Sequence, residues 1–550
     1  MLKWLGWIVV ALALLAAGLW FGREQIMLNI GGFVAPRVGA YHDVTWAEGP
    51  AAASEAVERR APNIMFILAD DLGFNDLTFN GGGVAGGVVP TPNIDSIGHE
   101  GVSFTNGYAG NATCAPSRAA IMTGRYPTRF GFEFTPTPVA FEAIVGTHSE
   151  PGNFLQPRFF LDRARQTPRM ETMGVPASET TIAEVLRARG YHTLQFGKWH
   201  LGAANGMRPE QQGFDESLGF MPGASLYLPV NDFNVENSRQ DFDPIDRFLW
   251  ANLQYAVQFN GSPHFHPNAY MTDYLTTEAI RAVHANRNRP FFIYFAPNAI
   301  HTPLQATRAD YDALSQVHDH RLRVYAAMVR NLDRNVGRLL EALRSEGLDR
   351  NTLVIFTSDN GGAHYIGLPE INRPYRGWKA TFFEGGIHTP FFMRWPARIH
   401  AGSRYAQPVS HFDIFATAAA AAQAPLPQAD RIDGVNVLPF AEGAAHGAPH
   451  DVLFWRSGQY RVVLANGWKL QDCGACHRVW LFDMANDPAE HHDLAAAQPD
   501  RVRALTALLD AHDREQRAPS WPSLLEGPIF VDQPLGVPQR RDADYIWWDN

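Results

Sequence analysis

The sequence predicts an α/β protein, a large mostly parallel sheet flanked by helices, with a smaller carboxyl-terminal antiparallel-sheet subdomain. Asn63–Ala69, Pro290–Ala296 and Thr352–Thr357 are continuous apolar runs, and Tyr191–Phe196 is a fourth strand-like stretch. Such runs suit strands buried on both faces of a parallel sheet. Helical segments such as Thr180–Arg189 and Tyr325–Arg344 separate them, as in alternating strand–helix folds. After about residue 440 come short strand pieces, Val452–Trp455, Tyr460–Leu464, Trp468–Leu470 and Val479–Phe482, divided by Gly, Asn and Cys turns, which read as antiparallel hairpins.

Size and composition agree. The 550 residues suffice for one large α/β domain and a smaller one. With 46% hydrophobic and 19% charged residues, the chain is globular with a substantial core. A net charge of −10 excludes a broadly basic nucleic-acid binder, so an anionic substrate must be drawn by local positive charge.

At the amino terminus, Trp4–Phe21 is an apolar run with Lys3 before it and Arg23-Glu24 after it. As a helix it is about 27 Å long, enough to cross a bilayer, with Trp4, Trp7 and Trp20 near its ends. Residues 1–22 therefore read as a membrane anchor that places the rest of the chain outside the cytoplasm. A cleaved signal peptide is the competing reading, although Ala11-Leu12-Ala13 lies inside the run. Residues 23–60 read as a linker, 61–440 as the main domain, 441–520 as the smaller subdomain and 521–550 as a tail.

The first core strand ends in Asp70-Asp71. Ligands bind beyond the carboxyl ends of strands in open α/β sheets, so these acids read either as a metal site or as a turn or helix cap. Cys114 precedes Pro116 and a short apolar run. Proline suits a first helical turn, and a helix N-terminus stabilises negative charge at residue 114, whether as a reactive thiolate or beside a structural cysteine. Thr181 and Glu184 form a capping box, and Gly190 stops that helix. The following strand runs into Lys198 and His200, two apart and so on one side of an extended chain. The strand Pro290–Ala296 leads to His301, and Thr352–Thr357 leads to Asp359-Asn360. Lys379 lies in a glycine- and aromatic-rich loop, where a plain surface lysine is the bland reading. Four strands with polar carboxyl ends point to one shared site.

The string Cys114-Ala115-Pro116-Ser117-Arg118, continuing to Thr123-Gly124-Arg125, spells C-x-P-S-R-x-x-x-x-T-G-R. It resembles the signature of the sulfatases, in which this cysteine is oxidised after translation to Cα-formylglycine. The other strand-end segments follow the family's order, over about residues 62–500. The resemblance implies Asp70, Asp71, Asp359 and Asn360 as metal ligands, together with Cys114 as formylglycine. It implies Arg118, Lys198, His200, His301 and Lys379 as the remaining active-site groups. An all-oxygen, hard donor set suits Ca²⁺ or Mg²⁺ and not zinc, and the resemblance tips the choice to Ca²⁺.

The implied reaction is hydrolysis of a sulfate ester to alcohol and inorganic sulfate. The hydrated aldehyde offers one hydroxyl to attack sulfur and a second whose deprotonation expels sulfate. The resemblance makes His200 the base for expulsion and His301, with Lys379, the acid for the leaving alcohol, or the two assignments in exchanged order. A formylglycine-generating enzyme is the implied maturation partner, and a sulfated glycan or an aryl sulfate the implied substrate. Residues 132–177 and 220–270 read as loops over the site whose aromatic and amide side chains suit a sugar ring. The alternatives are a phosphoester or phosphonate ester hydrolase using the same site, and an unmodified sulfoglycan-binding protein.

Cys473 and Cys476 read as a turn-closing disulfide in an oxidising compartment. With His477 they also spell C-x-x-C-H, formally a c-type haem attachment site.

Overall fold

The computed structural model describes residues 35–550 apart from Pro151 and Ala429, together with isolated positions between Trp4 and Gly32. The expected anchor Trp4–Phe21 lies for the most part outside the described residues. Among the described residues, no helix is long and apolar enough to cross a membrane.

Nine strands form the main sheet: β1 (Asn63–Ala69), β2 (Val102–Phe104), β3 (His192–Lys198), β4 (Glu216–Phe220), β5 (Gln258–Phe259), β6 (Phe291–Ala296), β7 (Thr352–Ser358), β8 (Phe391–Arg394) and β9 (Ser403–Tyr405). Their order is β9-β2-β8-β7-β1-β6-β3-β4-β5. The run β7-β1-β6-β3-β4 is parallel throughout, and β8 and β5 pair antiparallel at its flanks. Every residue of β1 is buried. Met65, Ile67 and Ala69 enter one core cluster, while Ile64, Phe66 and Leu68 enter the other. An apolar run without alternation is what two covered faces require.

Five helices matter for the site and its supports: α1 (Cys114–Thr123), α2 (Ile182–Ala188), α3 (Met271–Asn286), α4 (His320–Ser345) and α5 (Pro499–Asp513). The capping box on α2 forms as expected, with Thr181 accepting from the Glu184 N–H and Glu184 accepting from the Thr181 N–H at 2.8 Å.

The second sheet is an antiparallel meander of β10 (Val452–Ser457), β11 (Tyr460–Ala465), β12 (Trp468–Cys473) and β13 (Arg478–Asp483). α5 covers one face by packing Leu505 and Leu509 on Val463, Leu470 and Leu481. The Cys473–Cys476 disulfide closes the turn after β12 and occupies both thiols that haem attachment would need.

Two expectations are corrected here. Residues 521–550 are no loose tail: β14 (Leu525–Phe530) pairs with β15 (Tyr545–Asp549) and with Arg158–Phe159. Ile529, Ile546 and Trp548 then join the main core, a non-local burial that a charged flanking sequence conceals. Residues 35–60 are also more than a spacer, because Val44 and Trp46 are buried and the Trp46 indole donates to Glu278 of α3 at 2.9 Å. Segments 132–177 and 220–270 include short helices, Val139–Thr147 and Pro244–Asn252, the latter capped by the Asp243 side chain.

Candidate active site

Register assembles the site. Ala69 pairs with Ser358, so Asp70 and Asp359 leave β1 and β7 side by side. Gly197 pairs with Ala296, which brings the residue after β3's glycine, Lys198, to the same edge. Cys114 opens α1 and is 3% exposed, with its Sγ 3.9 Å from Asp71 Oδ1. One ligand atom each from Asp70, Asp71, Cys114 and His301 lies within 4.8 Å of the others.

The carboxylates are held by cations. Lys198 Nζ donates to both oxygens of Asp70, at 2.9 and 2.8 Å. Arg118 Nε donates to Asp359 Oδ2 at 2.9 Å, and its Nη1 reaches the Lys198 carbonyl and the Tyr294 hydroxyl, each at 3.2 Å. Lys379 Nζ lies 2.8 Å from Asp71 Oδ1 and 2.9 Å from Oδ2. Asn360 Nδ2 donates to Asp71 Oδ1 at 2.7 Å, which leaves Asn360 Oδ1 buried with no hydrogen-bond partner. Buried polar atoms are normally satisfied, so this orphan oxygen is informative.

Burial pushes the Asp70 carboxyl up to about 7, against Lys198 and Arg118. Burial also acts on Asp71, but Lys379, by charge and hydrogen bond, and Lys198 outweigh it and hold that carboxyl below the usual range. Asp359 is likewise held low, by Arg118 and Lys198 against burial. The three carboxylates are thus matched by three side-chain cations, and an added divalent cation makes the pocket net positive.

His301 is neutral, because burial and then Lys379 press its pKa down to about 3. Burial also disfavours charge on Lys379, but Asp71 holds it protonated, well above the ordinary lysine value. Lys379 Nζ therefore donates to His301 Nε2 at 3.2 Å, and His301 Nδ1 donates to the Thr302 carbonyl at 2.5 Å. The mobile proton sits on Lys379.

His200 reaches the site differently from the expectation. Its φ of 62° is left-handed, so Lys198 and His200 do not share a side by strand alternation. The turn delivers both all the same. Burial, then Lys198, Arg118 and Lys379, hold His200 neutral. Its ring lies in hydrogen-bond reach of the Pro136 backbone, and Nδ1 has no partner. A Cβ at Gly223 would stand 2.8 Å from His200 Cε1. Segments 132–177 and 220–270 therefore meet at this imidazole, as expected of loops over the site.

Several supports carry no local sequence signal. The Tyr365 hydroxyl donates to Asp71 Oδ2 at 3.1 Å, and the Tyr227 hydroxyl donates to the His301 carbonyl at 2.9 Å. Only a buried tyrosine near a strand end hints at either. His411 is fully buried behind α1, near Ser117 Oγ and Thr357 Oγ1, each at 3.1 Å. Burial pushes its pKa down to about 3. The folded value lies below the unfolded one, so the native state binds fewer protons and stability is lost as pH falls from about 6.5 toward 3. This group alone makes the protein about 2 kcal/mol less stable at pH 5 than at pH 7. Denaturant unfolding of His411→Gln at both pH values should show a pH dependence smaller by about that amount; an unchanged dependence would refute the assignment.

Comparison with known proteins supplies the family. A family model described as Sulfatase matches residues 62–424. Human N-acetylgalactosamine-6-sulfatase is 31% identical, over 84% of this chain and 87% of its own length. Human steryl-sulfatase is 29% identical, over 88% of this chain and 92% of its own length. The crystal structure of Ps i-CgsB in complex with k-i-k-neocarrahexaose superposes with a TM-score of 0.68 at 31% identity, covering 84% of this chain and 95% of that one. The phosphonate monoester hydrolase of Agrobacterium radiobacter shares the fold at a TM-score of 0.56 and 20% identity, over 82% of this chain and 96% of that one. With a matched span that exceeds half of its length and takes in Asp70, Cys114, Lys198, His301, Asp359 and Lys379, this chain belongs to the sulfatase family and is a sulfuric ester hydrolase.

Proposed function

We propose that the protein hydrolyses the sulfate ester of a sulfated glycan, using residue 114 as formylglycine and a hard divalent cation. The observation that carries the metal is Asn360 Oδ1, a buried acceptor with no partner beside Asp71. His301 belongs to the same cluster, but its Nε2 already accepts from Lys379. That leaves Asp70, Asp71, Asp359 and Asn360 as holders, an oxygen set that fits Ca²⁺, or Mg²⁺, better than zinc. Such an ion supplies positive charge facing the sulfate oxygens. Residue 114, oxidised to the aldehyde and hydrated, supplies a nucleophilic hydroxyl and a second hydroxyl for releasing sulfate.

The chain's own groups divide the remaining work. Lys379 carries the proton for the leaving oxygen, and His301 keeps Lys379 in place by accepting from it. His200, neutral with Nδ1 free, takes the proton whose removal releases sulfate. Arg118 donates from Nε and Nη1 to Asp359, Tyr294 and the Lys198 carbonyl, so it positions the metal-holding carboxylate, while its buried Nη2, without a hydrogen-bond partner, is left as a donor. Cys114 is 3% exposed, so the formylglycine-generating enzyme would have to act before α1 packs. The disulfide supports folding in an oxidising, extracytoplasmic compartment.

The glycan reading draws on the names of the N-acetylgalactosamine-6-sulfatase relative and the neocarrahexaose complex. The steryl-sulfatase relative favours a second reading, a steroid sulfate. Protein co-produced with a formylglycine-generating enzyme is expected to turn over an aryl sulfate about 10²-fold or more faster than the matching aryl phosphate, an effect of the size of one preorganised donor in such a site. Among natural substrates, sulfated oligosaccharides should outcompete steryl sulfate. Preference for the phosphate would sink the assignment to sulfate esters, and preference for the steryl ester would sink the substrate class.

A further inference from the structure

Lys469, Glu384 and Glu490 form a buried ionic cluster outside the site, each no more than 1% exposed. Lys469 lies on β12 of the second sheet, and its Nζ reaches Glu384 Oε1 at 2.6 Å and Glu490 Oε1 at 3.0 Å. The Glu384 N–H donates to Glu490 Oε2 at 2.6 Å, and Gln471 of β12 donates to Glu490 Oε1 at 2.7 Å. Glu384 Oε2 lies 2.7 Å from His388 Nδ1 and accepts from the Tyr108 hydroxyl at 3.1 Å. A lysine this deep is retained only against strong compensation, and removing one partner strands the others' charge.

Glu384 ends the turn that carries Lys379. The Gly385 N–H closes this turn on the Arg376 carbonyl at 2.7 Å, and the Phe382 N–H donates to the Tyr460 hydroxyl of β11 at 3.2 Å. At its tip, the Lys379 N–H donates to the Gly362 carbonyl at 3.0 Å and the Ala380 N–H to the Ala112 carbonyl at 2.8 Å. The tip thus bridges the loop after β7 and the loop before Cys114. Its base is clamped by the second sheet.

We propose that Lys469 is a positioning residue of the sulfatase site: acting through Glu384 and Glu490, it clamps the turn that holds Lys379 against Asp71 and His301. The second sheet is then part of the catalytic apparatus. This inference rests on the reading of Lys379 as the proton carrier for the leaving oxygen.

The test is a double-mutant cycle on full-length protein co-produced with a formylglycine-generating enzyme, with aryl sulfates of good and poor leaving groups. Lys469→Met is expected to lower kcat about 10- to 100-fold on the poor leaving group, with a much smaller loss on the good one and KM within about 3-fold. Lys469→Arg should restore most of that loss. In a Lys379→Ala background, Lys469→Met should cost less than about 3-fold more, because both changes remove one function. A full multiplicative loss in that background, or unchanged kcat in folded Lys469→Met, overturns the inference. Unchanged kcat in Lys379→Ala alone instead overturns the reading of Lys379 on which it rests. Thermal unfolding checks the fold. If Lys469→Met does not fold, the shape-preserving Glu490→Gln takes its place: the same non-additivity supports the inference and additivity refutes it.

Discussion

Cys114→Ala protein, produced with the maturation enzyme present, is expected to lose aryl sulfate turnover by about 10⁴-fold or more while keeping its fold. Alanine is small, helix-compatible and apolar, so the buried helix α1 should survive the change. The carboxylates Asp70, Asp71 and Asp359 are each paired with Lys198, Lys379 or Arg118. Cys114→Ser is expected to fail as well, since a serine has one hydroxyl and cannot release sulfate by reforming an aldehyde. The measurement is kcat/KM for both variants, with peptide mass spectrometry of residue 114 in the parent protein. Turnover by Cys114→Ala within about 10-fold of the parent would remove residue 114 from the chemistry.

Asp71→Asn is the second large effect, expected at about 10³-fold or more in kcat together with loss of bound metal, since one carboxylate serves several partners. Asp71 receives Lys379, Asn360 and Tyr365 and lies 3.6 Å from His301 Nε2. Replacing its charge by an amide weakens the metal set and also frees Lys379 from the anion that keeps it protonated. Elemental analysis of parent and variant, with and without chelator, separates the two consequences. The parent is expected to carry calcium, to lose activity and melting temperature on chelation, and to recover both on calcium addition. Stoichiometric metal and parent-like kcat in Asp71→Asn would show that the ion is held elsewhere.

Much of the site is legible along the chain, for a local reason. Asp70, Asp71, Asp359 and Asn360 follow apolar runs directly, and Cys114 opens a helix whose proline and small residues are consecutive. Covalent neighbours cannot be separated by folding, so such assignments need no tertiary information. Lys198 and His200 show the limit of this reasoning, because both reach the pocket but through a left-handed turn at His200 and not by strand alternation. The strands β14 and β15 were concealed because their apolar face is completed by partners hundreds of residues away.

By itself, the sequence determined the fold class, the place of Cys114 at the start of a helix and the acidic strand ends, since periodicity and motif are properties of neighbouring residues. Tertiary structure alone decided which cation serves which carboxylate, that the proton lies on Lys379 and not on His301, and that a lysine of the second sheet clamps the turn carrying it. Those outcomes depend on burial and on distances between segments remote in the chain, and charge and proton placement follow burial and distance.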